Sequence, residues 1–127
     1  MRRSTSPLSK LSGGRVDVTQ PLWTASLVGI NVIVFLAMLA ATWQEGGAIG
    51  RAVYPGFSSG IVDRFGGWYA SMIELGDLQR FITAMFLHGR LLHLLFNSVA
   101  LVQVGSQVEE IIRRRRFLVI YLVTGLA

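Results

Sequence analysis

Residues 86–97 read FLHGRLLHLLFN and gather three side chains able to exchange hydrogen bonds or bind a metal, His88, His93 and Asn97, among leucine and phenylalanine. His93 and Asn97 stand at i and i+4, about 40° apart around a helix axis. They therefore share one face, with Ala100 between their directions one turn later and Val104 continuing the stripe. A small residue beside two polar ones lets a second helix come close, and hydrogen bonds across such a contact are worth about 1 kcal/mol each. A metal is the other chemistry to weigh. On one continuous helix a spacing of five turns His88 and His93 about 140° apart, and no glutamate lies between them as in H-E-x-x-H. The spacing argues against a shared ion, and His88 is expected at the outer end of the helix, making a local hydrogen bond.

Whether these groups sit in water or lipid depends on the elements that carry them. Leu22 to Trp43 reads LWTASLVGINVIVFLAMLAATW, with no charge and a single amide, Asn31. Trp23 and Trp43 lie roughly 30 Å apart along a helix, the thickness of a hydrocarbon core with an aromatic at each interface. The stretch follows a polar leader and is too long for the core of a secretory signal, so it predicts a retained membrane helix over about 22–43. A second apolar run spans about Leu91 to Ile112, with polar interruptions at His93, Asn97, Ser98, Gln103, Ser106 and Gln107. Polar groups in hydrocarbon need internal partners, so one side of this helix (about 88–112) is expected to face protein or water. A third run, FLVIYLVTGLA, begins at Phe117 and reaches only about 16 Å by Ala127, half a bilayer. The chain is accordingly expected to be part of a longer protein. The fold class read from this pattern is an all-α polytopic membrane protein.

Charge is distributed as topology requires. The net charge is +5 over 127 residues, but Arg2, Arg3, Lys10 and Arg15 precede the first helix, and Arg113 to Arg116 separate the second from the third. Basic segments flank the cytoplasmic ends of membrane helices, so the amino terminus and the arginine run are expected in the cytoplasm and the intervening loop outside. An arginine run between two apolar stretches argues for a topology anchor and against a nucleic-acid patch. The absence of cysteine excludes disulfides, thiolate chemistry and Cys-ligated metal.

Residues 1–20 are rich in Ser, Gly and Arg and are expected to be disordered. The loop of about 44–80 is longer than a simple connector and rich in glycine and aromatics, which suits short amphipathic pieces in the headgroup region. It holds GFSSG, Gly56 to Gly60, a match to the G-x-S-x-G elbow of hydrolases. That motif needs a buried strand before it and a helix after it, so Ser58 is read as a turn serine without a base to activate it. Glu109 and Glu110 end the second helix just before the arginines, where pairing with Arg113 and clamping of the fold are compatible roles.

From Arg80 to Ala127 the sequence resembles the rhomboid family of intramembrane serine proteases. Arg80 followed by Thr83, His88-x4-His93-x3-Asn97, Gly105-x3-Glu109 and the RRFLVIYLVTGLA opening of the next helix fall in family order without a gap. The apolar helix before them and the long outer loop also sit where the family has its first helix and its membrane-embedded loop. Two positions depart from the pattern: Gln79 stands where many members have Trp, and Arg113 where a Gly often breaks the turn. The resemblance implies a rhomboid-like helical bundle, of which these residues supply the first two transmembrane helices and the start of a third. It implies a serine endopeptidase cutting in or near transmembrane segments of other membrane proteins, with no metal or cofactor and no nucleic acid. His93 and Asn97 are assigned to the oxyanion site, and Arg80, His88 and Glu109 to structural roles. The family's nucleophile, in a G-x-S-G motif on the fourth helix, and its base histidine on the sixth lie beyond the present residues, so these alone are expected to hydrolyse nothing. A pseudoprotease or a membrane adaptor that binds clients without cutting them is the alternative, and the substrate and oligomeric state are not encoded here.

Overall fold

The computed structural model describes residues 21–67 and 79–126, and every regular element among them is helical. The expectation of disorder over residues 1–20 and the centre of the outer loop, 68–78, lie outside the described residues. Helix α1 spans Leu22–Gln44. A 3-10 turn at Ile49–Ala52 and α2, Ser59–Arg64, follow in the loop. Then come α3, Gln79–Ala84, the long α4, Leu91–Ile112, and α5, Arg114–Leu126. Helices α1 and α4 are long and apolar enough to cross a membrane.

Uniform hydrophobicity makes α1 a helix in lipid but does not say which side meets protein. The buried residues Thr24, Leu27, Asn31, Phe35, Met38 and Thr42 fall three or four apart and form one stripe. Its three polar members are the ones lipid would penalise most, so sorting them inward orients the helix. Ile30, Ile33, Leu36 and Trp43 stay on the exposed side.

Two small cores join the loop to the helices. Phe35, Ala52 and Leu94 form one, with Phe57 packing on it, and the Phe35 and Phe57 rings meet edge to face at 5.1 Å. Met38, Ala41 and Ile61 form the other, which fixes α2 against the last turns of α1. The described part of the outer loop, residues 45–67, is thus packed on the helices. Ser58 is the N-cap of α2, its hydroxyl accepting from the Ile61 amide at 3.4 Å, which gives the serine of GFSSG a local structural task.

Helix α4 contains one π-helical turn, Leu101–Gly105, where it packs on α1. A Cβ on Gly105 would lie 3.0 Å from the Leu101 side chain, 3.3 Å from the Thr24 hydroxyl and 3.4 Å from the Phe117 ring. Glycine is therefore what lets three helices converge there. One turn further on, Glu109 is 3% exposed. Its carboxylate accepts from the Trp23 amide at 2.9 Å, the Thr24 amide at 2.8 Å and the Thr24 hydroxyl at 2.9 Å. Trp23 and Thr24 carry free amides in the first turn of α1, and Pro21 before them provides no side-chain acceptor. A carboxylate 85 residues away does the work of an N-cap. These bonds tie the end of α4 to the start of α1.

Arg113 ends α4 at φ 71° and ψ 149°, a conformation that glycine adopts freely and other residues do not. The departure noted in the sequence thus falls where the backbone favours the missing glycine.

Candidate functional site

Helix α4 starts at Leu91, so His88 lies ahead of it, in the short segment that leaves α3. The amides of Phe86 and Leu87 bond the carbonyls of Thr83 and Ala84 at 3.1 Å and 3.2 Å, a tightened turn that ends α3. The segment is held from the other side by the Phe57 amide, which donates to the Gly89 carbonyl at 3.0 Å. Gly56 makes that approach possible: it has φ +126°, and a Cβ there would come within 2.8 Å of the same carbonyl. Arg90 is extended (φ −145°, ψ 147°), and α4 begins behind it.

This arrangement corrects the spacing argument made for the two histidines. Because His88 precedes the helix instead of lying on it, its ring is not turned away from His93. The two rings meet edge to face with centroids 5.1 Å apart. Both nitrogens of His88 are engaged, however. Nδ1 is 3.2 Å from the Phe86 carbonyl, which is the local bond expected of this residue, and Nε2 is 2.8 Å from Asn97 Nδ2. No lone pair on His88 is left for an ion, and no group of three or more potential metal ligands occurs among the described residues.

His88 is 1% exposed, and burial pushes its pKa below the ordinary histidine value, with the Phe86 carbonyl opposing and the nearby His93 adding to the effect. The imidazole is neutral near pH 7 as a result. His93 and Asn97 are exposed and present their polar ends on one side of α4. Asn97 opens onto a groove of about 260 Å³ between α4 and α5, lined also by Ala100, Val104, Phe117, Tyr121 and Thr124. The stripe read from the sequence, from Asn97 through Ala100 to Val104, runs along this groove.

Arg80 is positioned from the loop. Its Nη1 donates to the Asp63 carboxylate at 2.9 Å, the Asp63 carbonyl at 3.1 Å and the Gly67 carbonyl at 3.0 Å. Thr83, three residues on, donates its hydroxyl to the Gly66 carbonyl at 2.8 Å. Arg80 and Thr83 therefore bind one turn of backbone from the same helix face, and so tie α3 to the end of α2. Sequence reasoning missed the link from His88 to Asn97. The available signal was Gly89, which weakens a helix over 88–91 and frees His88 to fold back.

The helices define an all-helical membrane protein. Comparison with known sequences shows what part of it is similar to: residues 75–127 match the model of the Rhomboid domain. The chain is 42% identical over 62 residues to the Rhomboid protease GluP of Bacillus subtilis (strain 168), covering 49% of this chain and 12% of that protein. It is 45% identical over 58 residues to the Rhomboid-like protein 15 of Arabidopsis thaliana, covering 46% of this chain and 14% of that protein. No solved structure matches. Residues 75–127 are thus similar to the rhomboid family, and the chain spans only 12–14% of the length of these relatives.

Proposed function

We propose that these residues are the amino-terminal part of an intramembrane serine endopeptidase in which His93 and Asn97 stabilise the oxyanion. One observation carries the reading: Asn97 is bonded to the buried His88, whose ring lies against His93, so the two polar side chains, one turn apart, are held together in the first turns of a membrane-crossing helix. Attack of a serine on a peptide carbonyl puts charge on the carbonyl oxygen, and preorganised N–H donors in a dry site stabilise it. His93 and Asn97 are donors of this kind, one helical turn apart. The serine and its base come from residues beyond these 127, so the chain by itself hydrolyses nothing. Its substrates are transmembrane segments of other proteins, met in the bilayer of the cell membrane.

Residues 1–20 and Arg113 to Arg116 lie on the cytoplasmic side and the loop of about 44–80 on the other, as the placement of arginine favours. The relative named a rhomboid protease supports a cutting enzyme over a binding one. The experiment is reconstitution of the full-length protein in liposomes with a transmembrane reporter. Cleavage blocked by a serine-directed phosphonate and indifferent to chelators supports the reading. Reporter binding without cleavage would favour the pseudoprotease instead.

A further inference from the structure

We propose that His88 is a positioning residue that sets the orientation of the Asn97 amide, and that the outer loop fixes this orientation by holding His88. The proposal rests on the oxyanion reading above and adds the group that aims one of its donors.

The chemistry follows from the two partners of the ring. A backbone carbonyl only accepts, so the nitrogen facing Phe86 at 3.2 Å must carry the proton. In a neutral imidazole the other nitrogen, Nε2, is then a lone pair. The atom of Asn97 that lies 2.8 Å from a lone pair must be a donor, so its NH₂ faces His88 and its carbonyl oxygen turns away. One N–H is spent on Nε2, and the second N–H of the same nitrogen is left for a ligand. An amide with no such partner could rotate its carbonyl oxygen toward the developing negative charge, which would repel it. His88 removes that option.

The acceptor is itself fixed by named contacts. The Phe57 amide holds the Gly89 carbonyl at 3.0 Å, and Phe57 packs on Phe35 and Leu94 of the two long helices. The GFSSG stretch, which has no catalytic task in this account, thereby braces the residue that aims Asn97.

Two measurements test this on the full-length protein. The first is ¹⁵N NMR of histidine-labelled protein in micelles at neutral pH. The expected result is a protonated Nδ1 and an unprotonated Nε2 on His88, with the Nε2 resonance moving in Asn97→Ala. An Nε2–H tautomer, or an Nε2 shift indifferent to Asn97→Ala, would overturn the proposal without touching the oxyanion reading. The second compares His88→Gln, whose amide oxygen can accept from Asn97, with His88→Leu, similar in size but unable to accept. His88→Leu is expected to lose about ten- to a hundredfold in kcat at unchanged KM, the scale of a misaimed group, while His88→Gln recovers most of it. Equal kcat in these two variants overturns the positioning role. A wild-type rate in Asn97→Ala would overturn the oxyanion reading and this proposal together.

Discussion

Replacing Glu109 by alanine removes all three bonds by which α4 caps α1, at 2.8–2.9 Å to the Trp23 and Thr24 amides and the Thr24 hydroxyl. In a water-soluble protein, bonds to a charged acceptor contribute about 1.5–3 kcal/mol each. Within membranes side-chain bonds average nearer 0.6 kcal/mol, because the unfolded helices also find partners. The amides at issue belong to a helix terminus, however, where losing a cap costs about 0.5–2 kcal/mol and the helix dipole adds about 0.3–1 kcal/mol for a carboxylate. Taken together these bracket the loss for Glu109→Ala at about 2–4 kcal/mol. Thr24→Val removes the hydroxyl bond alone and is expected to cost about 0.6–1.5 kcal/mol. The two sites touch, so the double variant should lose less than the sum, with a coupling of about 0.5 kcal/mol or more. The assay is unfolding of the full-length protein by SDS in mixed micelles, followed by tryptophan fluorescence. A Glu109→Ala loss below about 0.5 kcal/mol, or strict additivity with Thr24→Val, would refute the cross-chain cap.

Arg113→Gly should stabilise the protein by about 1 kcal/mol, since it relieves a φ of 71° at a small cost in unfolded-chain entropy; the same SDS titration checks this. Gly105→Leu should destabilise by about 1–3 kcal/mol, because its side chain must displace Thr24, Leu101 or Phe117, whereas Gly105→Ala should be much milder; thermal unfolding compares the two. Acid should weaken the fold through His88. The unfolded imidazole takes up its proton near the ordinary value of about 6.5, and the folded one only at lower pH. Between the two the unfolded state binds more protons, so this contribution is complete above about pH 6.5 and is lost as pH falls toward the folded value. The drop in Tm from pH 7.5 to pH 5 should therefore be larger in the wild type than in His88→Gln.

The long helices were legible because their signal is local: a lipid-length apolar window is visible in α1 without any knowledge of its neighbours. The buried side of α1 was not read in advance, although Thr24, Asn31 and Thr42 mark it once the structure shows them buried. His93 and Asn97 stood out as costly residues in an apolar run, and their shared face follows from helical spacing alone. What the sequence did not yield depends on backbone partners. Arg80 binds carbonyls of Asp63 and Gly67, and Glu109 binds amides of Trp23 and Thr24; any residue type provides those groups, so nothing in the composition announces them. The His88 contact escaped for a different reason. Angular reasoning assumed that the helix already included it, and a shift of the helix start to Leu91 reverses the conclusion about its neighbours.

The central claim is that Asn97 serves the transition state and not the fold. The most direct measurement is kcat for Asn97→Ala in the full-length protein on a transmembrane reporter, taken beside its unfolding free energy. Loss of one oxyanion donor should lower kcat by about 10²–10³-fold. Stability should change by no more than about 1 kcal/mol, the worth of a single membrane hydrogen bond. A wild-type rate, or a loss of activity that merely follows a loss of folded protein, would contradict the account.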